Sequence, residues 1–471
     1  AKPADPTAIT ATLAVQLMHQ AGVPQNVLQF LPGRGSVVGA RLSADSRVKG
    51  VCFTGSLNTA QTINRAMAED IAVDAPLIAE TGGLNAMIVD STALPEQAIK
   101  DIVASAFQSA GQRCSALRLL YIQEDVAETF LEMLYGAMDE LVIGNPWNMK
   151  TDVGPLINEG AYTEISAYID EARKKRQLLK ELSTPDGGTF IAPTVLRVNG
   201  ISDLKKEIFG PVMHVATFKV ADLDTIVSDI NESGFGLTFG MHSRIDDRIK
   251  QVTSRLNVGN IYINRNQVGA IVGSQPFGGE GLSGTGPKAG GPSYVRRFVK
   301  PATCCIKEKP GRTIGEDELQ TAIDLAPSPS RQAFSQVELP GPTGESNILS
   351  TFGRGVLLCL GPSLEAARMQ RDIALAHGCT AIVIAPDADS PNELNGSLEI
   401  QALSTAHGFD AVVNWGAERD LRSIRKALSK RWGAIIPVIN EKDFGHQCLI
   451  ERHICIDTTA AGGNASLLAT S

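Results

Sequence analysis

Two short stretches carry residue types that could do chemistry together. Cys114 stands in Gly111-Gln112-Arg113-Cys114-Ser115-Ala116-Leu117-Arg118, between a helical pattern over Glu96–Ser109 and an apolar strand pattern over Leu119–Gln123. A thiol attacks only as thiolate, and its free pKa of about 8.5 falls near cations or oriented backbone N–H groups. Arg113 and Arg118 are expected to supply that charge, although a buried structural cysteine fits the octapeptide as well. Glu80 ends the apolar run Leu77-Ile78-Ala79 and is followed by Thr81-Gly82-Gly83-Leu84-Asn85, where two glycines let the chain turn and approach another backbone closely. A carboxylate so placed can act as a general base. With Cys114 it would form and then hydrolyse a thioester.

The elements that must position these groups alternate in kind. A helix capped by Thr7 carries Leu13, Leu17 and Met18 at helical spacing; Val27–Leu31 and Val48–Thr54 read as strands, and Gly33-Arg34-Gly35-Ser36-Val37-Val38-Gly39 lies between them. Strand, helix and strand in alternation predict a parallel, doubly wound sheet. Further helices are expected over Val126–Leu141 and Ala161–Leu179, a turn at Pro185-Asp186-Gly187-Gly188 and a strand over Phe190–Val195.

Composition bounds the rest. With 471 residues, 43% of them hydrophobic, the chain can bury more than one core. The net charge is −8, and the one basic run, Arg173-Lys174-Lys175-Arg176, reads as a solvated helix face, so nucleic-acid binding through this segment is not expected. Eight cysteines without C-x-x-C spacing indicate neither a zinc site nor a disulfide framework and point to a reducing cytoplasm. No apolar run reaches the roughly 18 residues of a spanning helix.

The Glu80 turn, Gly111-Gln112-Arg113-Cys114 and Lys206-Glu207-Ile208-Phe209-Gly210-Pro211 together resemble the aldehyde dehydrogenase superfamily, which carries E-x-G-G, G-Q-x-C and E-I-F-G-P in this order. The resemblance implies Cys114 as nucleophile, Glu80 as base and NAD as cofactor. Lys2 and Asp5 match the family's adenosine-ribose contacts, and Thr54, Gly55 and Ser56 its pyrophosphate turn, with Ala60 in place of the usual last glycine. Glu207 and Phe209 match its nicotinamide-ribose contacts. Pro146-Trp147-Asn148 imitates the motif of the oxyanion asparagine but follows the cysteine instead of preceding the glutamate, so Asn148 is not expected to be catalytic. Because the sequence opens at Ala1-Lys2-Pro3, already in motif territory, it is expected to be a fragment with that asparagine upstream, poorly active alone.

Residues Tyr262–Gly279 resemble the anchor loop of L-glutamate γ-semialdehyde dehydrogenases. Gly269, Ala270, Ser115, Phe277 and Arg113 are thereby implied in substrate binding, the loop's N–H groups holding an α-carboxylate. The continuation Glu280–Pro292 and the closing Asp457-Thr458-Thr459-Ala460-Ala461-Gly462-Gly463-Asn464-Ala465 are similar to the bifunctional proline utilisation A family, which joins a proline dehydrogenase with FAD to the semialdehyde dehydrogenase. The resemblance implies an N-terminally truncated aldehyde dehydrogenase fold: 1–79, remainder of the NAD-binding domain; 80–290, catalytic domain; 291–336, a bridging strand over Tyr294–Val299 and a linker; and 337–471, a second, non-catalytic α/β domain built from Val356–Leu360, Ala381–Ile384, Ala411–Asn414, Ala434–Val438 and Ile454–Asp457. It further implies a homo-oligomer, a C-terminal unit that covers the active site, and no FAD on this chain. Two other readings stay open: an inactive module with a structural, oligomerisation or lid role, and a thiol esterase without cofactor.

Overall fold

The computed structural model of the chain describes residues 1–299, 302, 306, 311–391 and 393–459. Among these, the dominant element is a ten-stranded sheet in the order Ser335–Leu339, Glu345–Gly353, Leu449–Asp457, Asn260–Ile263, Thr238–His242, Ala86–Val89, Leu119–Gln123, Val212–Phe218, Thr194–Arg197, Leu178–Glu181. The strands from Leu449–Asp457 to Thr194–Arg197 run parallel, and antiparallel neighbours close both ends. Ala86–Val89 and Leu119–Gln123 are apolar on both faces because helices cover both sides, as a parallel sheet requires. The helices Pro95–Phe107 and Glu124–Asp139 cover one face, and Leu223–Glu232 with Asp246–Thr253 the other.

A smaller parallel sheet, Glu393–Asn395, Thr380–Ala385, Val356–Cys359, Ala411–Val413 and Val438–Ile439, forms the core of a second α/β unit. Its helix Glu418–Ser429 docks on the helix Leu57–Asp70. There Arg422 donates to the carbonyl of Glu69 at 2.8 Å and Arg425 to that of Ala72, also at 2.8 Å. The Arg422 cation satisfies a carbonyl of the last turn that has no partner within the helix, and Arg425 one just beyond its end. No helix of the described residues is long and apolar enough to cross a membrane.

Several elements differ from their sequence-based reading, each for a local reason. Val27–Leu31 is a turn, because the N–H groups of Val27 and Leu28 both return to the carbonyl of Pro24. Leu13, Leu17 and Met18 do lie on a helix, Ala8–Gln20, but on its exposed side. The Ala161–Leu179 helix stops at Lys174; Arg176 turns left-handed with φ 59°, and Leu178–Glu181 leaves as an edge strand. The strand expected from Phe190 begins only at Thr194, after Pro193, which has no N–H to pair. Tyr294–Val299 is a 3-10 turn over Val295–Phe298, with Phe298 packed on Gly50. The supposed linker contains the strand Thr313–Ile314 and the helix Glu316–Asp324, whose Leu319 and Ile323, four apart, enter the core of the second unit. Of Ala434–Val438 only Val438 is a strand residue. Ile454–Asp457 belongs to the longer strand Leu449–Asp457, which joins the large sheet instead of the second unit. Residues 307–310 of the linker and 460–465 of the closing motif lie outside the described residues.

The turn before Cys114 is the most constrained piece of backbone. After the helix Pro95–Phe107, Ser109, Ala110 and Gly111 all take left-handed conformations, with φ of 56°, 53° and 64°. For residues with a Cβ this costs about 1–2 kcal/mol each. At Gly111 a Cβ would also lie 2.1 Å from the carbonyl oxygen of Gly210. Gly111→Ala is therefore expected to destabilise the protein by about 2 kcal/mol or more. An unchanged denaturant midpoint would show that the turn tolerates a side chain.

Candidate active site

Glu80 closes the strand Leu77–Glu80, paired in parallel with Val51–Thr54 so that Thr54 lies opposite it. Along its other side runs the glycine-rich segment 278–286. The N–H of Ala79 donates to Thr285 Oγ1 at 3.0 Å, the N–H of Thr81 to the carbonyl of Ser283 at 2.9 Å, and Gly284 bridges Glu80 directly. Glycine is required here because a Cβ on Gly278 or Gly284 would come within 2.9 Å of a Glu80 carboxylate oxygen. Oε2 accepts the N–H of Gly279 at 2.8 Å; Oε1 is buried with no hydrogen-bond partner. Burial pushes the Glu80 carboxyl up to about 8, with the Gly279 N–H and the Lys288 ammonium opposing it. A carboxylate of that kind takes protons readily at neutral pH.

The Cys114 turn is stitched to the Glu80 turn by Asn85. Its Nδ2 donates to the carbonyls of Cys114 at 2.6 Å and Ala116 at 2.9 Å, while its Oδ1 accepts the N–H of Thr238 at 3.2 Å. Cys114 is half-buried. The expectation that Arg113 and Arg118 lower the thiol's pKa is not met. Burial comes first and pushes it up, with the carboxylates of Glu207 and Glu80 adding to it; the N–H groups of Ser115 and Cys114 and the Arg118 charge pull the other way without reversing the shift. Arg118, fully buried, is engaged elsewhere: it donates to the carbonyls of Gly111 at 2.7 Å and Arg113 at 3.0 Å and pairs with Glu207 at 2.9 Å. Arg113 turns back to Ser109 Oγ at 3.0 Å.

The residues matched to cofactor contacts fall into three places. Thr54-Gly55-Ser56 is an exposed turn opening the 14-residue helix Leu57–Asp70, with Ser56 accepting the N–H of Thr59. Free N–H groups and a helix dipole at such a turn suit a phosphate. Glu207 lies over the Glu80 turn so closely that a Cβ on Gly82 would meet its Oε2 at 1.7 Å, and Phe209 is 44% exposed under the Arg118 guanidinium, 5.2 Å away. Lys2 and Asp5 pair with each other at 3.1 Å. An open helix N-terminus, a carboxylate and an exposed ring suit the parts of a dinucleotide.

Of the residues matched to substrate contacts, Ser115 is buried and tied to the 264–279 loop, since its carbonyl accepts Gln267 Nε2 at 3.3 Å. Gly269, with φ 78°, is exposed on that loop and Ala270 follows it. Phe277 bridges Ala289. Asn148 sits in a surface turn beside Trp147, which is 93% exposed. Sequence reasoning missed Asn85 as a stitch, although it closes the quoted Glu80 stretch, and Lys288, hidden among glycines. Among the described residues no group of His, Cys, Asp and Glu could hold a metal ion.

The model of the aldehyde dehydrogenase family matches residues 1–304. The chain is 41% identical over 519 positions to the bifunctional protein PutA of Salmonella typhimurium, covering 99% of this chain and 39% of that protein. It thus spans well under half the length of such relatives. It is 37% identical over 308 positions to 1-pyrroline-5-carboxylate dehydrogenase of Bacillus thuringiensis, covering 64% of this chain and 59% of that one. Among solved structures, a bifunctional proline utilization A protein aligns with a TM-score of 0.62 at 50% identity over 63% of this chain and 30% of that one. A 1-pyrroline-5-carboxylate dehydrogenase from Thermus with bound NAD aligns at 0.60 and 36% identity, over 64% and 59% of the two chains. The family match runs through every element that builds the thiol and carboxylate turns, and the chain therefore belongs to the aldehyde dehydrogenase family.

Proposed function

We propose that this chain oxidises L-glutamate γ-semialdehyde, the hydrolysis product of Δ1-pyrroline-5-carboxylate, to L-glutamate with NAD, as the dehydrogenase part of a longer proline-oxidising protein. The observation that carries this is the pairing of Cys114 with a buried, poorly solvated Glu80 across turns that Asn85 locks together. Resemblance to the bifunctional relatives supplies the substrate class.

Cys114 Sγ, its proton passing to water, adds to the aldehyde carbon, and a thiohemiacetal forms as its alkoxide, leaving the Glu80 carboxylate free for the hydrolytic step. Bound NAD supplies the acceptor for the hydride that this intermediate loses. Glu80 then takes a proton from water, whose oxygen attacks the thioester carbon. The C–S bond breaks, the carboxylic acid departs and the thiol is restored. Ser56 and its turn hold the pyrophosphate, Glu207 and Phe209 the nicotinamide ribose, and Lys2 with Asp5 the adenosine ribose. Ser115, Gly269 and Ala270 anchor the substrate's α-carboxylate, and Phe277 with Arg113 walls the pocket.

Residues 1–79 serve the cofactor and 80–290 the chemistry; within 337–471, the second α/β unit has a covering role without chemistry of its own, while Glu345–Gly353 and Leu449–Asp457 extend the large sheet. A cleft of about 850 Å³ supports the last assignment: Gly279, Gly284 and Lys288 form one wall and Phe409, Arg425 and Trp432 of the second unit the other. The free cysteines of the described residues suit a reducing cytoplasm. A homo-oligomer, and a proline dehydrogenase module with FAD in the same polypeptide, complete the reading.

In the intact protein, Cys114→Ala should abolish aldehyde oxidation while NAD still binds. Glu80→Gln should give a burst of NADH followed by turnover slowed on the order of a hundredfold or more, since the thioester forms before it must be hydrolysed. Stopped-flow absorbance decides: steady turnover without a burst, at the normal rate, removes Glu80 as base. An aldehyde bearing an α-carboxylate should also exceed an alkyl aldehyde of equal length in kcat/KM by at least about a hundredfold, because the anchor N–H groups otherwise lose their partner. Equal values would refute the substrate class.

A further inference from the structure

Lys288 is a buried cation, 2% exposed inside the glycine loop behind Glu80. Its Nζ donates to Asn260 Oδ1 at 2.8 Å and to the carbonyl of Gly278 at 2.5 Å. Asn260 Oδ1 also accepts the N–H of Gly278 at 3.1 Å, so one amide oxygen and one ammonium grip both sides of the same residue. The next N–H along the chain, that of Gly279, is the donor that holds Glu80 Oε2. The fit leaves no slack. A Cβ on Gly259 would lie 2.0 Å from the Gly278 carbonyl oxygen and 2.9 Å from Nζ, and one on Gly278 would lie 2.9 Å from Glu80 Oε1 and 3.2 Å from Lys288 Cα.

We propose that Lys288 is a positioning residue for the reaction: through Gly278 it aims the Gly279 N–H at Glu80, and its buried cation offsets the cost of ionising that carboxylate between turnovers. This rests on Glu80 being the base that hydrolyses the thioester.

The other charges around the pair leave this role to Lys288. Glu280 is already held by Arg452 at 2.8 Å and Glu451 accepts the Lys288 backbone N–H at 2.9 Å. His453, buried, is pushed down to about 4, chiefly by that burial, and stays neutral. Cys114 and Tyr294 face Glu80, and both are pushed up, chiefly by burial. Lys288 is thus the cation that lowers the Glu80 carboxyl against its burial, and Glu80 first among the carboxylates raises Lys288 in return. Removing the cation raises the carboxyl further, so the basic form is reached only at higher pH.

The test follows hydrolysis of the acyl-enzyme formed from para-nitrophenyl acetate, which acylates a thiol without cofactor, as a function of pH. Lys288→Met should move the midpoint of deacylation up by about one pH unit or more while the alkaline plateau persists. Lys288→Arg should restore the wild-type midpoint. Asn260→Asp, which keeps Lys288 but cancels its charge, should shift the midpoint in the same direction and carries the test if Lys288→Met fails to fold. Unchanged midpoints in the Met and Asp variants, with only the plateau lowered, would overturn the proposal and leave Lys288 a packing residue. If Glu80→Gln hydrolyses the acyl-enzyme with the wild-type profile, Glu80 is not the base and both readings fall; if Glu80→Gln is impaired but Lys288→Met is unshifted, only the role of Lys288 falls.

Discussion

Keeping one carboxylate ionisable out of water is the constraint around which the site is built. Taking a carboxylate from water into a protein interior costs several kcal/mol unless donors and cations answer it. Glu80 receives a partial answer, one N–H on Oε2 and a cation beyond the loop, while Oε1 is left bare. A fully satisfied carboxylate would be a stable anion and a poor base; a wholly unsatisfied one would stay protonated. The glycines at 278 and 284 follow from this, since only a backbone without side chains approaches the carboxylate closely enough to tune it.

The same reasoning explains why the thiol is not activated in the way its neighbouring arginines suggest. Arg118 spends its donors on the carbonyls of Gly111, Arg113 and Gly210 and on Glu207, and so holds the left-handed turn and the Glu207 segment together. It is a structural rivet for the Cys114 turn. Burial, with the carboxylates of Glu207 and Glu80 adding to it, keeps the thiol protonated at rest, and a protonated thiol is the less easily oxidised one.

Much of this was legible in the sequence, and the limit has a physical cause. The turns that carry Cys114 and Glu80 were readable because turns demand glycine, and because Leu119–Gln123 and the helices beside it carry unmixed patterns. Periodicity reports what an element is, not which element it meets. Ile454–Asp457 was correctly strand-like, yet nothing in its alternation named Asn260–Ile263 as its neighbour. Charge in Glu316–Asp324 hid two core residues four apart, and the direction of the thiol's shift depended on where Arg118 pointed, a property of the packed state.

The strand Leu449–Asp457 lies between Asn260–Ile263 and Glu345–Gly353, and therefore arrives in the catalytic sheet roughly two hundred residues after its neighbour has been made. During synthesis, the edge of Asn260–Ile263 stays open while the entire second unit is translated, and an open apolar edge is a template for mispairing. At a typical elongation rate of about 5–20 residues per second, that interval is on the order of tens of seconds. The order of synthesis thus makes this edge the place where a chaperone, or a neighbouring nascent chain, has longest to act.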